Sequence, residues 1–132
     1  MHPFRKAVEA GDHAAIEALL AENVVFTSPV VFKPYTGRAI TATIVRGVSR
    51  VFTDFHYVRE IGDADGVDHA LIFRAKVGDK EIEGCDFLHL DEDGRIDDFT
   101  VMVRPLSAAQ ALQEAMAAQF EQISREAMGA AE

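Results

Sequence analysis

Asp86 is the residue that most invites chemistry, in the stretch Gly84-Cys85-Asp86-Phe87-Leu88-His89-Leu90. The stretch alternates like a strand, and alternate residues of a strand share a face. Ile82, Gly84, Asp86, Leu88 and Leu90 fall on one face; Glu81, Glu83, Cys85, Phe87 and His89 fall on the other. The first face is the apolar one and is predicted to look inward, taking Asp86 with it. Desolvation disfavours the charged form of a carboxyl group and raises its pKa. A carboxyl of that kind can donate a proton near neutral pH and take one back. An aspartate paired with a buried arginine or with backbone amides would fit the same pattern and do no chemistry.

Other reactive residue types offer less. Cys85 is the single cysteine and lies on the face opposite Asp86. Its neighbours are acids, which do not favour a thiolate, so it reads as an inert thiol. Asp91, Glu92, Asp93, Asp97 and Asp98 lack the alternating ligand spacing of a calcium loop and read as a solvated hairpin. The five histidines are scattered without metal-ligand spacing. No glycine-rich phosphate loop is present. The expectation is therefore no metal and no organic cofactor.

Composition narrows the partners. The 132 residues carry 22 acids against 13 bases, a formal net charge of −9. Phosphate-rich partners would be repelled, so no nucleic acid and no anionic membrane is expected. No apolar run approaches the length of a membrane span, and no charged-then-apolar signal segment opens the chain. One cysteine allows no internal disulfide, which fits a reducing cytoplasm. Without a linker or repeat, the chain reads as one domain, residues 1–132.

The elements that must position Asp86 follow from periodicity and turn signals. Phe4 to Ala10 reads as a short helix stopped by Gly11. Asp12 caps a second helix, His13 to Leu20. Val24 to Ser28 reads as a strand, and Pro29 to Gly37 as a loop. Arg38 to Phe52 is predicted as a helix with Ile40, Ile44, Val48, Val51 and Phe52 as its buried stripe. Four strands follow: Phe55 to Ile61, His69 to Val77, Lys80 to Leu90 and Ile96 to Arg104. Gly78-Asp79 and Asp93-Gly94 are hairpin turn signals, so these strands form an antiparallel meander. Ser107 with Gln110 reads as a capping box for a last helix, Ser107 to about Ala127. Its stripe is Leu112, Met116, Phe120 and Ile123, and it is expected to cover the outer face of the sheet or a partner subunit. Met128 to Glu132 reads as a frayed end. The order is α+β, with helices packed on a bent antiparallel sheet.

This order, with Gly11-Asp12 after the first helix, Ser28-Pro29 ending the first strand, Gly37 before the third helix and Leu90-Asp91-Glu92-Asp93-Gly94-Arg95-Ile96 late in the chain, resembles the nuclear transport factor two-like superfamily. Within it the chain is most similar to the SnoaL-like group, which includes polyketide cyclases and ketosteroid isomerase-like proteins. The resemblance covers residues 4 to 104. It implies a cone-shaped curved sheet wrapped around the N-terminal helices, with an apolar cavity at the wide end. It also implies a homodimer, often with sheets back to back, which would put Cys85 at or near the contact.

The resemblance brings site residues with it. Asp86 matches the aspartate that hydrogen-bonds a substrate oxygen in the isomerase and the proposed acid–base residue of the cyclase. The isomerase's general base falls at Ser28, whose hydroxyl cannot shuttle protons unaided but could orient a carbonyl or hydroxyl. The isomerase's first-helix tyrosine falls at Phe4. Steroid isomerisation as the specific reaction is therefore not expected. The carboxylates of limonene epoxide hydrolysis are missing at Val101 and between His69 and Val77. A His–Asp pair with tyrosines, as in scytalone dehydration, would need His69 or His56 to meet Asp86, with Tyr35 or Tyr57. The implied ligand is a small apolar oxygenated molecule. Its predicted walls are Phe26, Ser28, Tyr35, Ile44, Val48, Leu71, Phe73, Asp86, Leu88, Phe99, Val101 and Val103, with Asp86, Ser28 and His69 as candidate catalytic groups.

Two functions fit. One is a cofactor-independent cyclase, isomerase or dehydratase that uses Asp86 as its acid–base group. The other is a non-catalytic ligand-binding module or dimerisation scaffold.

Overall fold

A computed structural model describes residues 1–131, with side chains described for residues 1–119, 124 and 125. The elements run α1 (Pro3–Glu9), α2 (His13–Leu19), β1 (Leu20–Thr27), β2 (Tyr35–Thr36), α3 (Arg38–Val51), β3 (Thr53–Ile61), β4 (Asp68–Val77), β5 (Lys80–Leu90), β6 (Ile96–Arg104) and α4 (Leu106–Ala131). The strands form one six-stranded sheet in the order β2-β1-β6-β5-β4-β3.

Local chemistry sets the element ends. The His2 ring nitrogen Nδ1 accepts from Phe4 N at 3.0 Å and caps α1, whose first position is Pro3. Asp12 Oδ1 accepts from Ala15 N at 3.1 Å and caps α2, satisfying a backbone donor that the helix leaves free. Gly78 has φ +61 and starts the two-residue turn between β4 and β5. Asp91 Oδ1 accepts from both Asp93 N and Arg95 N at 2.9 Å, so the acidic hairpin between β5 and β6 is built around one carboxylate.

The meander β3 to β6 is antiparallel throughout, as the turn signals predict. β1 is different. It pairs parallel with β6, matching Phe26 to Phe99 and Thr27 to Thr100, which makes the sheet mixed. A parallel partner needs a long crossover, which the intervening helix and meander supply. β2 was expected as loop; it is a two-residue strand pairing Tyr35 with Phe26. Register shifts in β3–β4 and β5–β6 mark irregularities that accompany the bend of the sheet.

α3 lies on the concave side. Thr41 and Thr43 are fully buried on it, and their hydroxyls donate to carbonyls one turn back, Gly37 O at 2.8 Å and Ile40 O at 2.9 Å. Two polar side chains are thus absorbed by the helix itself. The main core joins Phe4, Ile16, Leu20, Val24, Phe26, Leu71, Phe73, Leu88, Ile96 and Phe99.

α4 departs from expectation twice. It begins at Leu106, so Ser107 lies inside the first turn and is not its cap. It also packs on the inner side of the sheet, where Ala108 and Leu112 join Ala75, Val77 and Ile82 in a second core cluster. Ala75 on β4 and Ala108 on the helix are small enough for close approach there, so α4 does not cover the outer face. Phe120 and Ile123 lie outside the described side chains, and the helical backbone continues to Ala131. Among the described residues no helix is long and apolar enough to cross a membrane.

Candidate functional site

Between the concave face of the sheet, α1, α3 and α4 lies a cavity of about 830 Å³. Its walls are mostly apolar, and an apolar cavity of this size with a few converging polar groups suits a small organic ligand. Two sets of aromatic rings shape it. Phe99 meets Phe4 and Phe26 edge-on, with ring centroids 5.2 and 5.1 Å apart. Phe73 stacks on Phe55 at 4.9 Å and meets the Tyr57 ring edge-on at 6.4 Å. Gly84 makes the second set possible, because a Cβ there would sit 2.3 Å from the Phe73 ring.

Asp86 stands in this wall. It pairs across β5 with Leu71 on β4 and Val101 on β6, and it is only 5% exposed. Its partner is Tyr57, whose hydroxyl donates to Asp86 Oδ2 at 2.7 Å. Tyr57 sits on β3, two strands away, and is equally buried. Tyr57 pairs with the inward Phe73, and beyond the register shift between Tyr57 and Arg59 the next residue on that side is Glu60, opposite Leu71. Burial pushes the Asp86 carboxyl up to about 7, against the smaller opposing effect of the Tyr57 hydrogen bond. Burial, and then the charge of Asp86, push the Tyr57 phenol far above its ordinary range, so it remains a donor. The pair is a carboxyl poised to exchange a proton beside a fixed hydroxyl, facing an apolar space.

Of the other predicted wall residues, Phe26, Ser28, Tyr35, Ile44, Val48, Phe73, Phe99 and Val101 line the cavity. Leu71, Leu88 and Val103 do not. Leu71 and Leu88 are taken up by the packed core, and Val103 packs beside both core clusters. Ser28 Oγ accepts from Val30 N at 3.2 Å, so its oxygen shapes the turn at the rim while its proton stays available.

His69 is a correction. It faces inward but does not line this cavity. Its Nε2 meets Gly66 O at 2.8 Å, and its ring packs edge-on against His2 with centroids 4.6 Å apart. Its cross-strand partner is Leu88, one inward position beyond Asp86, so the strand carries it toward the loop after Gly62. His56 is exposed and bonds the Asp54 carbonyl. Neither histidine joins Asp86.

Two groups escaped the sequence reading as a set. Tyr57 appeared only as one of two optional tyrosines. Glu9 did not appear at all, yet it lines the cavity from α1 and is paired with Arg5 Nε at 2.7 Å. The available signal was the i,i+4 spacing of Arg5 and Glu9 beside the apolar Phe4 and Val8. Among the described residues no group of three or more His, Cys, Asp or Glu side chains could hold a metal ion. Burial and the nearby Asp86 push the Cys85 thiol up, which keeps it unreactive.

With the cone and its carboxyl in view, comparison with known proteins places the class. A family model of the SnoaL-like domain matches residues 2–99. The chain belongs to the SnoaL-like family. A cystatin-like-fold protein conserved in bacteria, from Silicibacter pomeroyi, is 40% identical, with TM-score 0.87 over 93% of this chain and 86% of that one. A steroid delta-isomerase from Pseudomonas aeruginosa is also 40% identical, with TM-score 0.84 over 90% of this chain and 87% of that one. A proposed polyketide cyclase from Pseudomonas putida shares the fold at 20% identity, with TM-score 0.65 over 80% of this chain and 89% of that one. No curated protein matches the chain in sequence.

Proposed function

We propose that this protein binds a small, largely apolar, oxygen-bearing molecule in the cone cavity and acts on it without a cofactor, with Asp86 as the acid–base group. Isomerisation, cyclisation and dehydration are the reaction classes that one such group can run. The observation that carries the reading is the Asp86–Tyr57 pair, buried in an apolar wall with the carboxyl near 7. A carboxyl with that pKa can give and recover a proton at neutral pH, where an ordinary aspartate is spent. The 40%-identical steroid delta-isomerase adds support, because its name describes isomerisation of a steroid, a largely apolar molecule. Ser28 orients the ligand's second oxygen from the rim. A second copy packed on the outer face of the sheet, where Val58, Phe87 and Met102 are exposed, belongs to the same proposal. So does a reducing, cytoplasmic setting, which suits the single thiol.

A panel of cyclic ketones and hydroxyketones, read first by ligand-induced thermal shift and then by turnover, tests it. Asp86→Asn should keep binding and lose turnover by about 100-fold or more. Undiminished turnover in that variant would sink the acid–base role. The residue types at Ser28 and Phe4 favour a second reading, binding without chemistry. Ligands that bind the unaltered protein and never turn over would establish that one instead.

A further inference from the structure

If Asp86 is the acid, a reaction at carbon also needs a base, and the wall of the cavity restricts the choice. Among the described residues that line it, the only carboxyl groups are Asp86 and Glu9, and no histidine, lysine or arginine is present. Ser28, at the position where the resemblance puts a base, carries a hydroxyl, which cannot take up a proton from carbon unaided.

Glu9 is built into place. Its Oε1 accepts from Arg5 Nε at 2.7 Å, within one turn of α1. Arg5 is itself anchored, with Nη1 at 3.3 Å from Glu60 Oε1 and Nη2 at 3.5 Å from the Tyr57 carbonyl oxygen, both on β3. The guanidinium carbon lies 6.0 Å from the centre of the Tyr57 ring. α1 is thereby clamped to the strand that carries the hydroxyl partner of Asp86. Glu9 is also near enough to Tyr57 for its charge to act on that phenol. Its side chain is about one-third exposed (35%), so it sits at the rim while Asp86 sits in the wall.

We propose that Glu9 is the base of this site, partnering Asp86, which lines the same cavity, on a ketone with an acidic neighbouring C–H. The assignment rests on the acid–base reading of Asp86. The Glu9 carboxylate takes the proton from the carbon beside the carbonyl. The C–H electron pair becomes the carbon–carbon double bond of the enol, and the carbonyl π pair moves to oxygen, which takes the Asp86 proton. The Asp86 carboxylate left behind accepts the Tyr57 hydrogen bond. Return of a proton from Glu9 to the same or the conjugated carbon, and of the oxygen proton to Asp86, restores both groups. Two carboxyl groups in contrasting surroundings, one buried without a cation and one ion-paired at the rim, suit the separate roles of acid and base.

The test uses 2-tetralone, an apolar bicyclic ketone, in deuterated buffer with the full chain. Exchange of its α-hydrogens is followed by NMR. The unaltered protein should accelerate exchange, and Glu9→Gln and Asp86→Asn should each slow it by about 100-fold. Glu9→Ala should regain rate with added formate, a response that a merely structural role would not produce. A partly exposed ion pair contributes little to stability, so the Glu9 variants should fold, and a thermal melt checks this for them and for Asp86→Asn. Exchange in Glu9→Gln equal to the unaltered protein, with Asp86→Asn slow, overturns Glu9 and leaves Asp86 standing. Exchange unaffected in Asp86→Asn overturns the Asp86 reading. Loss in Glu9→Gln without formate rescue of Glu9→Ala makes Glu9 a positioning partner of Arg5 and overturns its role as base. No acceleration by the unaltered protein overturns the pair.

Discussion

Asp86 makes stability depend on pH in a direction opposite to most aspartates. Its folded pKa of about 7 stands above the ordinary 3.8, so between those values the folded chain holds a proton that the unfolded chain has released. Stability from this group is complete below about 4 and is lost as pH rises through about 7. Asp86→Asn cannot lose it. Urea denaturation of the two proteins at pH 4 and pH 8 should show the variant gaining on the unaltered chain by on the order of a few kcal/mol at the higher pH. A difference that does not change with pH would mean that the carboxyl is not held neutral. At this scale the sequence was half legible. The apolar alternation along β5 decided that Asp86 faces inward. It could not reveal Tyr57, because a hydroxyl on β3 reaches β5 only through the pairing of both with β4. Glu9 was hidden for a similar reason: a helix pattern shows a stripe, not which cavity the edge of that stripe borders.

Gly84 is the element-scale counterpart. It leaves the space on β5 into which the Phe73 ring of β4 swings, and that ring shapes the wall beside Tyr57. Gly84→Ala should cost about 1–3 kcal/mol, because an aromatic ring that is almost wholly buried has nowhere to move. Thermal melts read the cost, and loss of ligand-induced stabilisation should accompany it. An unchanged melt would mean that the Phe73 ring relaxes freely. The helices, the meander and its turns were readable because their signals are local: Asp12 beside its helix, Gly78 in its hairpin, alternation within each strand. The parallel β1–β6 pairing, the short β2 and the inward docking of α4 were not. Each depends on which surface remains open after the other elements have packed. α4 also lies beyond the region matched by the family model, yet Leu112, Gln113 and Met116 close one side of the cavity.

For the whole molecule, the outer face of the sheet bears on assembly. Val58, Phe87 and Met102 are 46%, 42% and 60% exposed on it, beside half-buried Cys85 and Ile72. Sedimentation of the unaltered chain should show a dimer, and Phe87→Glu with Met102→Glu should shift it to a monomer, since charges facing each other across an apolar contact are costly. A protein that is monomeric at every concentration, or a dimer indifferent to both changes, would remove this face as the contact. The cavity lies on the other side of the sheet, so under the proposed function the double variant should keep the ligand-induced stabilisation.

Residue order alone determined the α+β class, the inward carboxyl on β5 and the membership in a family of cone-shaped domains. The first two follow from periodicity, caps and turns, which act over a few neighbours in the chain, and the third from the resemblance carried by short motifs in their order. Only the tertiary structure decided that Asp86 has a tyrosine partner, that His69 belongs to another neighbourhood, that Leu71 and Leu88 are core and not wall, and that Glu9 borders the cavity. A pocket is the space left between distant segments. Its lining is set by register, sheet curvature and helix docking, none of which is written in any one stretch of the chain.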